Sequence, residues 1–260
     1  MKTALGITAL GLSAMLAAHA NASLLFEESF EYPAGDLSTE SANFWNDSGT
    51  TIESGSLTYG NLATAGNRVT MSDDSSWTSV SLGAGNLEDG DTIWFSVLIN
   101  TRNGTNPDFG FVLGTDRLND SNNVPMSNTG SGLGFRVKNG IKATAWNSGN
   151  PTSASGAGYT AGDTALVVGE IIFGATDTIN LYLPDTDLNL GSIVSTQTAT
   201  HVQSGYDTIA FSDKAASPRD QVDEIRIGTT SASVLPAVPE PSSLALIGLG
   251  GLLIARRRHG

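Results

Sequence analysis

The chain has 260 residues, no cysteine, and 13 basic against 26 acidic side chains, for a formal net charge of −13. Lack of cysteine excludes a disulfide framework, a thiol nucleophile and thiolate metal sites together. So acidic a surface argues against nucleic acid and anionic lipid as partners.

In chain order, Lys2 gives a short positive start and Ala4 to Ala18 is an apolar run broken by small residues. Ala18-His19-Ala20 and Ala20-Asn21-Ala22 both fit the small-x-small rule for signal peptidase. Residues 1–22 are therefore read as a signal peptide forming an N-terminal helix. Its cut is framed by Ala20 and Ala22, with Ser23 as the first mature residue.

Residues 23–235 are long enough for one sizeable domain and do not require two. Taking Lys2 and the Arg256–Arg258 cluster from the 13 basic residues, and Glu240 from the 26 acidic ones, leaves that domain near −16. Its 30 glycines less those of the two ends, its many Ser, Thr, Asn and Asp, and its lack of helical periodicity point to strands joined by turns. Leu24 to Tyr32 reads as a first strand, and Pro33 to Gly55 as a long loop carrying Trp45. Ser56 to Leu62, Asn67 to Ser72 and Trp77 to Leu82 are further strand candidates. Ile93 to Ile99 (IWFSVLI) is apolar on both faces by the period of two, with Trp94 and Leu98 opposite Ile93, Phe95, Val97 and Ile99. That predicts a central strand with Trp94 in the core.

Phe109 to Leu113 follows, then a polar insertion. Asn139-Gly140 splits Gly132 to Trp146 into a hairpin. A strict two-residue turn would put Leu133, Phe135 and Trp146 on one face, but Lys142 with them, so the register stays open. Asn147 to Gly162 is a loop by composition. Ala165 to Phe173 and Thr178 to Leu183 form a pair joined at Gly174–Asp177, and Tyr206 to Phe211 and Val222 to Ile227 complete the set. About a dozen strands with turn residues between them argue for a two-sheet antiparallel sandwich.

Residues 236–260 are of a different composition. Pro239 and Pro241 break any helix before the apolar run Leu244 to Ala255 begins. Twelve helical residues rise about 18 Å, short of the ~30 Å hydrocarbon core, so this short hydrophobic helix is a marginal transmembrane span. Arg256, Arg257 and Arg258 follow at once, which predicts that this end stays cytoplasmic. The order Val238-Pro239-Glu240-Pro241, apolar run, arginine cluster resembles the PEP-CTERM sorting signal of exported bacterial proteins. The resemblance implies recognition by an exosortase-type membrane protease, processing near Pro-Glu-Pro, and a Gram-negative producer of extracellular polysaccharide. The expected location is the cell envelope, outer surface or extracellular matrix, after a transient inner-membrane stage.

A second resemblance lies in the cargo. Phe26 to Gly35 (FEESFEYPAG), Leu166 to Asp185 (LVVGEIIFGATDTINLYLPD) and Asp223 to Thr230 (DEIRIGTT) are similar to the opening, paired inner and closing strands of laminin-G-like domains. They imply a concanavalin A-like jelly-roll sandwich whose first and last strands lie together.

Function must be argued from sites, because fold does not set it. Retaining glycosidases need two carboxylates about 5–5.5 Å apart, and no Glu-x-Asp-x-Glu strand exists here. Asp223 and Glu224 are adjacent and so should face opposite sides. His201 is the one histidine of the mature domain and reads as a strand-edge surface residue. No catalytic residues are assigned. Acidic pairs such as Asp73-Asp74, Asp89/Asp91, Asp116/Asp120 and Asp185/Asp187 are compatible with a structural calcium, though no ligand set can be named and no other cofactor is indicated. Trp45 and Trp77, in or beside loops, are the candidates for stacking on sugar rings, while Trp146 is assigned to the core or the hairpin edge. The reading is a non-enzymatic surface or matrix protein acting by adhesion or association with extracellular polysaccharide. Its alternative is a polysaccharide-active glycoside hydrolase of concanavalin A-like fold whose carboxylates come from separate strands.

Overall fold

A computed structural model describes residues 23–71, 77–81, 87–101, 108–115, 130–148, 150–201, 205–213 and 219–236. The expected signal helix and hydrophobic C-terminal helix lie outside these. The described residues are almost entirely strand and turn.

One sheet has nine strands: β1 (Leu24–Glu28), β2 (Gly35–Asp36), β4 (Thr50–Glu53), β5 (Arg68–Met71), β7 (Thr92–Asn100), β12 (Thr164–Ile172), β13 (Asp177–Tyr182), β14 (Ser195–Ala199) and β16 (Gln221–Gly228). Across it the order is β14-β13-β12-β7-β16-β5-β4-β2, with β1 also on β16. The other has seven: β3 (Asn46–Ser48), β6 (Trp77–Ser81), β8 (Phe109–Gly114), β9 (Gly132–Val137), β10 (Ile141–Asn147), β11 (Asn150–Ser153) and β15 (Thr208–Asp213), in the order β11-β10-β9-β8-β15-β6-β3. All ladders are antiparallel. Two single-turn helices, α1 (Leu37–Glu40) and α2 (Ser231–Val234), complete the described elements.

The two sheets bury alternate residues against each other, as the period of two requires. Ile93, Phe95, Val97 and Ile99 of β7 meet Phe109, Phe111, Leu133, Phe135, Ile209 and Phe211 of the smaller sheet in one core. Phe95 lies 5.2 Å from Phe111 and 6.2 Å from Phe135, ring centre to ring centre, tying the sheets together through aromatic contacts. Opposite Phe95 on β12 sits Gly169, and its missing side chain makes room for the Phe95 ring. One flank is closed by Ser195 of β14, whose hydroxyl accepts from the Ala143 N–H (2.9 Å) and donates to the Ser155 carbonyl (2.8 Å).

β7 is central, between β12 and β16. Its outer face is covered too, by a second cluster in which Leu98, Leu166, Val168 and Tyr182 meet Leu57, Leu62 and Val234. Trp94 belongs to this outer layer rather than the inner core, half-buried and stacked on Tyr182 at 5.7 Å. The first and last strands pair, Leu24 with Gly228 and Glu28 with Ile225.

Four stretches depart from the sequence reading, one of them Ser195–Ala199, a strand with no candidate there. Ser56–Leu62 is not a strand: its Leu57 N–H and Ser56 hydroxyl are taken by the Asp223 carboxylate, and its leucines lie across the outer face of the larger sheet. The expected loop 33–55 contains α1, β2, β3 and β4, and β11 lies within the expected loop 147–162. The hairpin turns on three residues, Lys138 to Gly140, with Val137 opposite Ile141 and left-handed φ of 55° at Asn139 and 107° at Gly140. Leu133 and Phe135 therefore face the core, while Trp146 packs on the opposite side with Val112 and Ala210.

Candidate functional site

Around β15 and β6 the outward face of the smaller sheet carries small side chains, whereas Trp146 and Val112 cover it further along. On β15, Ile209 and Phe211 are core residues, which turns Thr208 outward. Thr208 pairs with Ser81 of β6, and Ser79 pairs with Asn46 of β3. Where these strands meet their loops, Phe44, Asn46, Ser79, Val80, Ser81, Thr115, Asp207 and Thr208 line an open pocket of about 340 Å³. Its chemistry is a phenyl ring beside hydroxyls, an amide and a carboxylate. Asp207 accepts the Thr208 hydroxyl at 2.7 Å, and its own N–H is spent on the Gly114 carbonyl at 3.0 Å, so the carboxylate is held at the rim.

Phe44 is the exposed aromatic of this pocket, with half of its surface in solvent. Ala42 and Asn43 precede it in the left-handed region, at φ of 54° and 63°, a conformation that is uncommon for residues with a Cβ. The chain turns there so that Phe44 faces out and Trp45 faces in. The expectation that Trp45 offers its ring to a sugar is thereby corrected. Trp45 is fully buried, its ring against Phe30 and Phe211 at 5.7 Å each, and its indole N–H donates to Glu28 at 2.9 Å. A ring with no face in solvent cannot stack on a ligand. It instead supports Phe44, which meets it edge-on at 6.2 Å. For Trp77 the backbone is placed, in β6 opposite Ser212, and its side chain lies outside the described residues.

Asp223 and Glu224 form a second constellation, and their expected placement on opposite faces is also corrected. Pairing of β16 with β7 slips between Asp223 and Arg226, and Glu224 has φ of 49°, so an extra residue bulges from the strand. Both carboxylates consequently reach the same segment: Asp223 accepts from Leu57 N–H (2.7 Å) and the Ser56 hydroxyl (2.6 Å), and Glu224 accepts from Ala65 N–H. Arg226 lies 2.6 Å from Glu224 and 2.9 Å from Glu27. Burial pushes the Asp223 carboxyl up to about 7 against the pull of its hydrogen bonds. Burial raises Glu224 as well, opposed by Ala65 and Arg226. Neither side chain has surface in solvent, so the pair holds a loop and meets no substrate.

His201 is not a surface residue: it is half-buried, its Nδ1 shares a hydrogen bond with the buried Tyr206 hydroxyl, and desolvation lowers its pKa. Among the described residues no three His, Asp or Glu converge as a metal-binding group. Of the acidic loop pairs, Asp185 spends its oxygens on the Asp187 and Asn189 N–H groups and the Asn189 amide, and Asp91 caps the Glu88 N–H. Asp73, Asp74, Asp116 and Asp120 lie outside the described residues.

The signal residues Ala20 and Ala22 and the sorting residues Val238, Pro239, Glu240, Pro241, Arg256, Arg257 and Arg258 also lie outside. Comparison with protein families places a PEP-CTERM protein-sorting motif over residues 237–258. The chain carries a PEP-CTERM sorting motif. This motif supports export to the envelope of a Gram-negative bacterium and processing by an exosortase. No curated protein matches the chain.

Among solved structures the chain is similar to the globular domain of T. cruzi calreticulin, at 10% identity and a TM-score of 0.49, covering 90% of this chain and 95% of that one. It is similar to the conserved carbohydrate esterase of the Shiga toxin-encoding bacteriophage phi24B, at 13% identity and a TM-score of 0.47, over 80% and 99% of the two chains. A third likeness is to the exoplasmic/lumenal domain of VIP36 in its Ca2+/Man3GlcNAc-bound form, at 11% identity and a TM-score of 0.47, over 77% and 88%. At such scores these likenesses carry no argument about activity. Among the described residues no helix is long and apolar enough to cross a membrane.

Proposed function

We propose that this is a non-enzymatic, exported envelope or matrix protein that associates with extracellular polysaccharide through the Phe44 pocket. The observation that carries the reading is the pocket's composition. A half-exposed ring can stack on the apolar face of a sugar, and the Asn46 amide, the hydroxyls of Ser79, Ser81, Thr115 and Thr208, and the Asp207 carboxylate can bind its hydroxyls. An acidic protein with a carboxylate at the rim suits a neutral glycan and repels a polyanionic one. The glycosidase alternative needs two carboxylates about 5–5.5 Å apart, and of the residues lining the pocket Asp207 alone carries one. In this reading the signal peptide is cut before Ser23, the hydrophobic tail holds the chain in the inner membrane for a time, and an exosortase-type protease removes it.

Retention of the purified domain on extracellular polysaccharide from a PEP-CTERM-bearing bacterium tests the binding. The wild-type domain is expected to be retained with and without chelator, since the proposed contacts are ring stacking and hydrogen bonds from side chains. Phe44→Ala should lose most of that retention, because stacking contributes largely through the ring, and should leave the buried core untouched. Equal retention of Phe44→Ala and wild type would remove the pocket from the account, and no retention of either would remove the glycan.

A further inference from the structure

Residues 229–236 lead directly into the sorting motif, and they are fastened to the sandwich along their whole length. Thr229 N–H donates to the Ser23 carbonyl at 3.0 Å, and Ser23 N–H donates to the Thr229 hydroxyl at 3.2 Å. Thr230 caps α2 through a reciprocal capping box with Ser233. Val234 is fully buried in the outer cluster, and its carbonyl accepts the hydroxyl of the equally buried Ser96 at 2.6 Å. Leu235 packs on the same cluster. Last, the Pro236 carbonyl accepts the Ala63 N–H at 2.9 Å. Ala63 is itself fixed, since its carbonyl accepts from Arg226 at 3.1 Å and its neighbour Ala65 is held by Glu224. Docking is thus described as far as Pro236, and the motif begins at residue 237.

We infer that residues 229–236 are a strap that competes with the sorting protease for the upstream side of the motif. Val238 lies two residues after the docked Pro236 carbonyl. A protease that takes its substrate as an extended strand over several residues must pull Leu235 and Pro236 off the sandwich, which breaks the Ala63 and Ser96 hydrogen bonds and exposes Val234. Processing is then slowed by the folded domain in proportion to how firmly the strap is docked. The inference rests on the reading that the tail is removed, and its test separates the two.

Tail removal is followed by pulse-chase and mass spectrometry of the full chain expressed in a bacterium with a working PEP-CTERM sorting system. The wild type is compared with Ser96→Ala, which deletes one strap bond, and with a variant carrying an eight-residue Gly/Ser insert between Pro236 and Ala237. The insert leaves every docked residue in place and gives the protease slack chain, so it keeps the test valid even if Ser96→Ala folds poorly. Both variants are expected to lose the tail at least about threefold faster than wild type, and combining them should add little to the insert alone. Equal or slower removal with the insert overturns the strap while leaving sorting intact. Tails that persist in every variant, wild type included, overturn the sorting reading and the strap with it.

Discussion

Phe44 and Trp45 stand side by side in the sequence, and a two-residue left-handed turn sends one into solvent and the other into the core. The sequence reading offers the Trp45 ring to solvent and leaves Phe44 without a role. The fold reverses the two. The indole went inward because Glu28, across the sandwich edge on β1, accepts its N–H, and no local pattern connects residues so far apart. Asp223 shows the same dependence on distant partners. In the folded chain its carboxyl keeps its proton up to about pH 7, whereas its ordinary value is 3.8. Folding therefore binds a proton between these values, so this group's contribution to stability is full below about pH 4 and is lost as the pH rises towards 7. Asp108 acts with the opposite sign. Burial raises its carboxyl, but Arg136 and Lys138 outweigh this and hold it below the usual range, so its contribution is lost only as the pH falls through that lowered value. Because Glu224 is raised and His201 lowered as well, Asp223's share is the difference between wild-type and Asp223→Asn urea midpoints between pH 5 and 7, with wild type expected to lose up to about 1.4 kcal/mol per pH unit more than the variant. Parallel profiles for wild type and Asp223→Asn would remove the buried carboxyl from the energetics.

Among the elements, those that read clearly were the ones whose side chains carry their burial. β7 is apolar on both faces because its inner face meets the smaller sheet and its outer face meets the Leu57 segment. β12, β13 and β16 read clearly for the same reason. β2, β3, β4, β11 and β14 did not, because they are short, mostly polar and at or near sheet edges, where backbone ladders define them. Ser56–Leu62 misled in the reverse direction: its Leu57 and Leu62 report burial against a sheet and say nothing of membership in one. The hairpin between β9 and β10 was legible from Asn139-Gly140, but its third loop residue was not. Gly140 has φ of 107° and a Cβ there would run into the Ala157 carbonyl, so Gly140→Ala combines backbone strain with a clash. It should lower stability by about 1–3 kcal/mol, measured by chemical denaturation, while Asn139→Gly should be nearly neutral. A neutral Gly140→Ala would mean that the loop has room to shift.

At the scale of the molecule, the sequence stated the address in one contiguous block, whereas the pocket is assembled from Phe44, Ser79 and Thr208, brought together only by folding. Sheet pairing over such separations is slow to form. Refolding of the 23–236 segment is accordingly expected on the millisecond-to-second scale or slower, measured by stopped-flow fluorescence of its tryptophans, and a sub-millisecond main phase would contradict the long-range topology. β16 is the reason. It is the last of the described strands, yet it supplies the ladder partner of β1, β5 and β7 at once. A chain that crosses a membrane from its N-terminus delivers β1 first and β16 nearly last. Until residues 221–228 emerge, the larger sheet lacks the strand that joins its two halves, and the sandwich cannot close. Under the proposed export, this order lets the larger sheet complete only once the chain just ahead of the sorting motif has crossed.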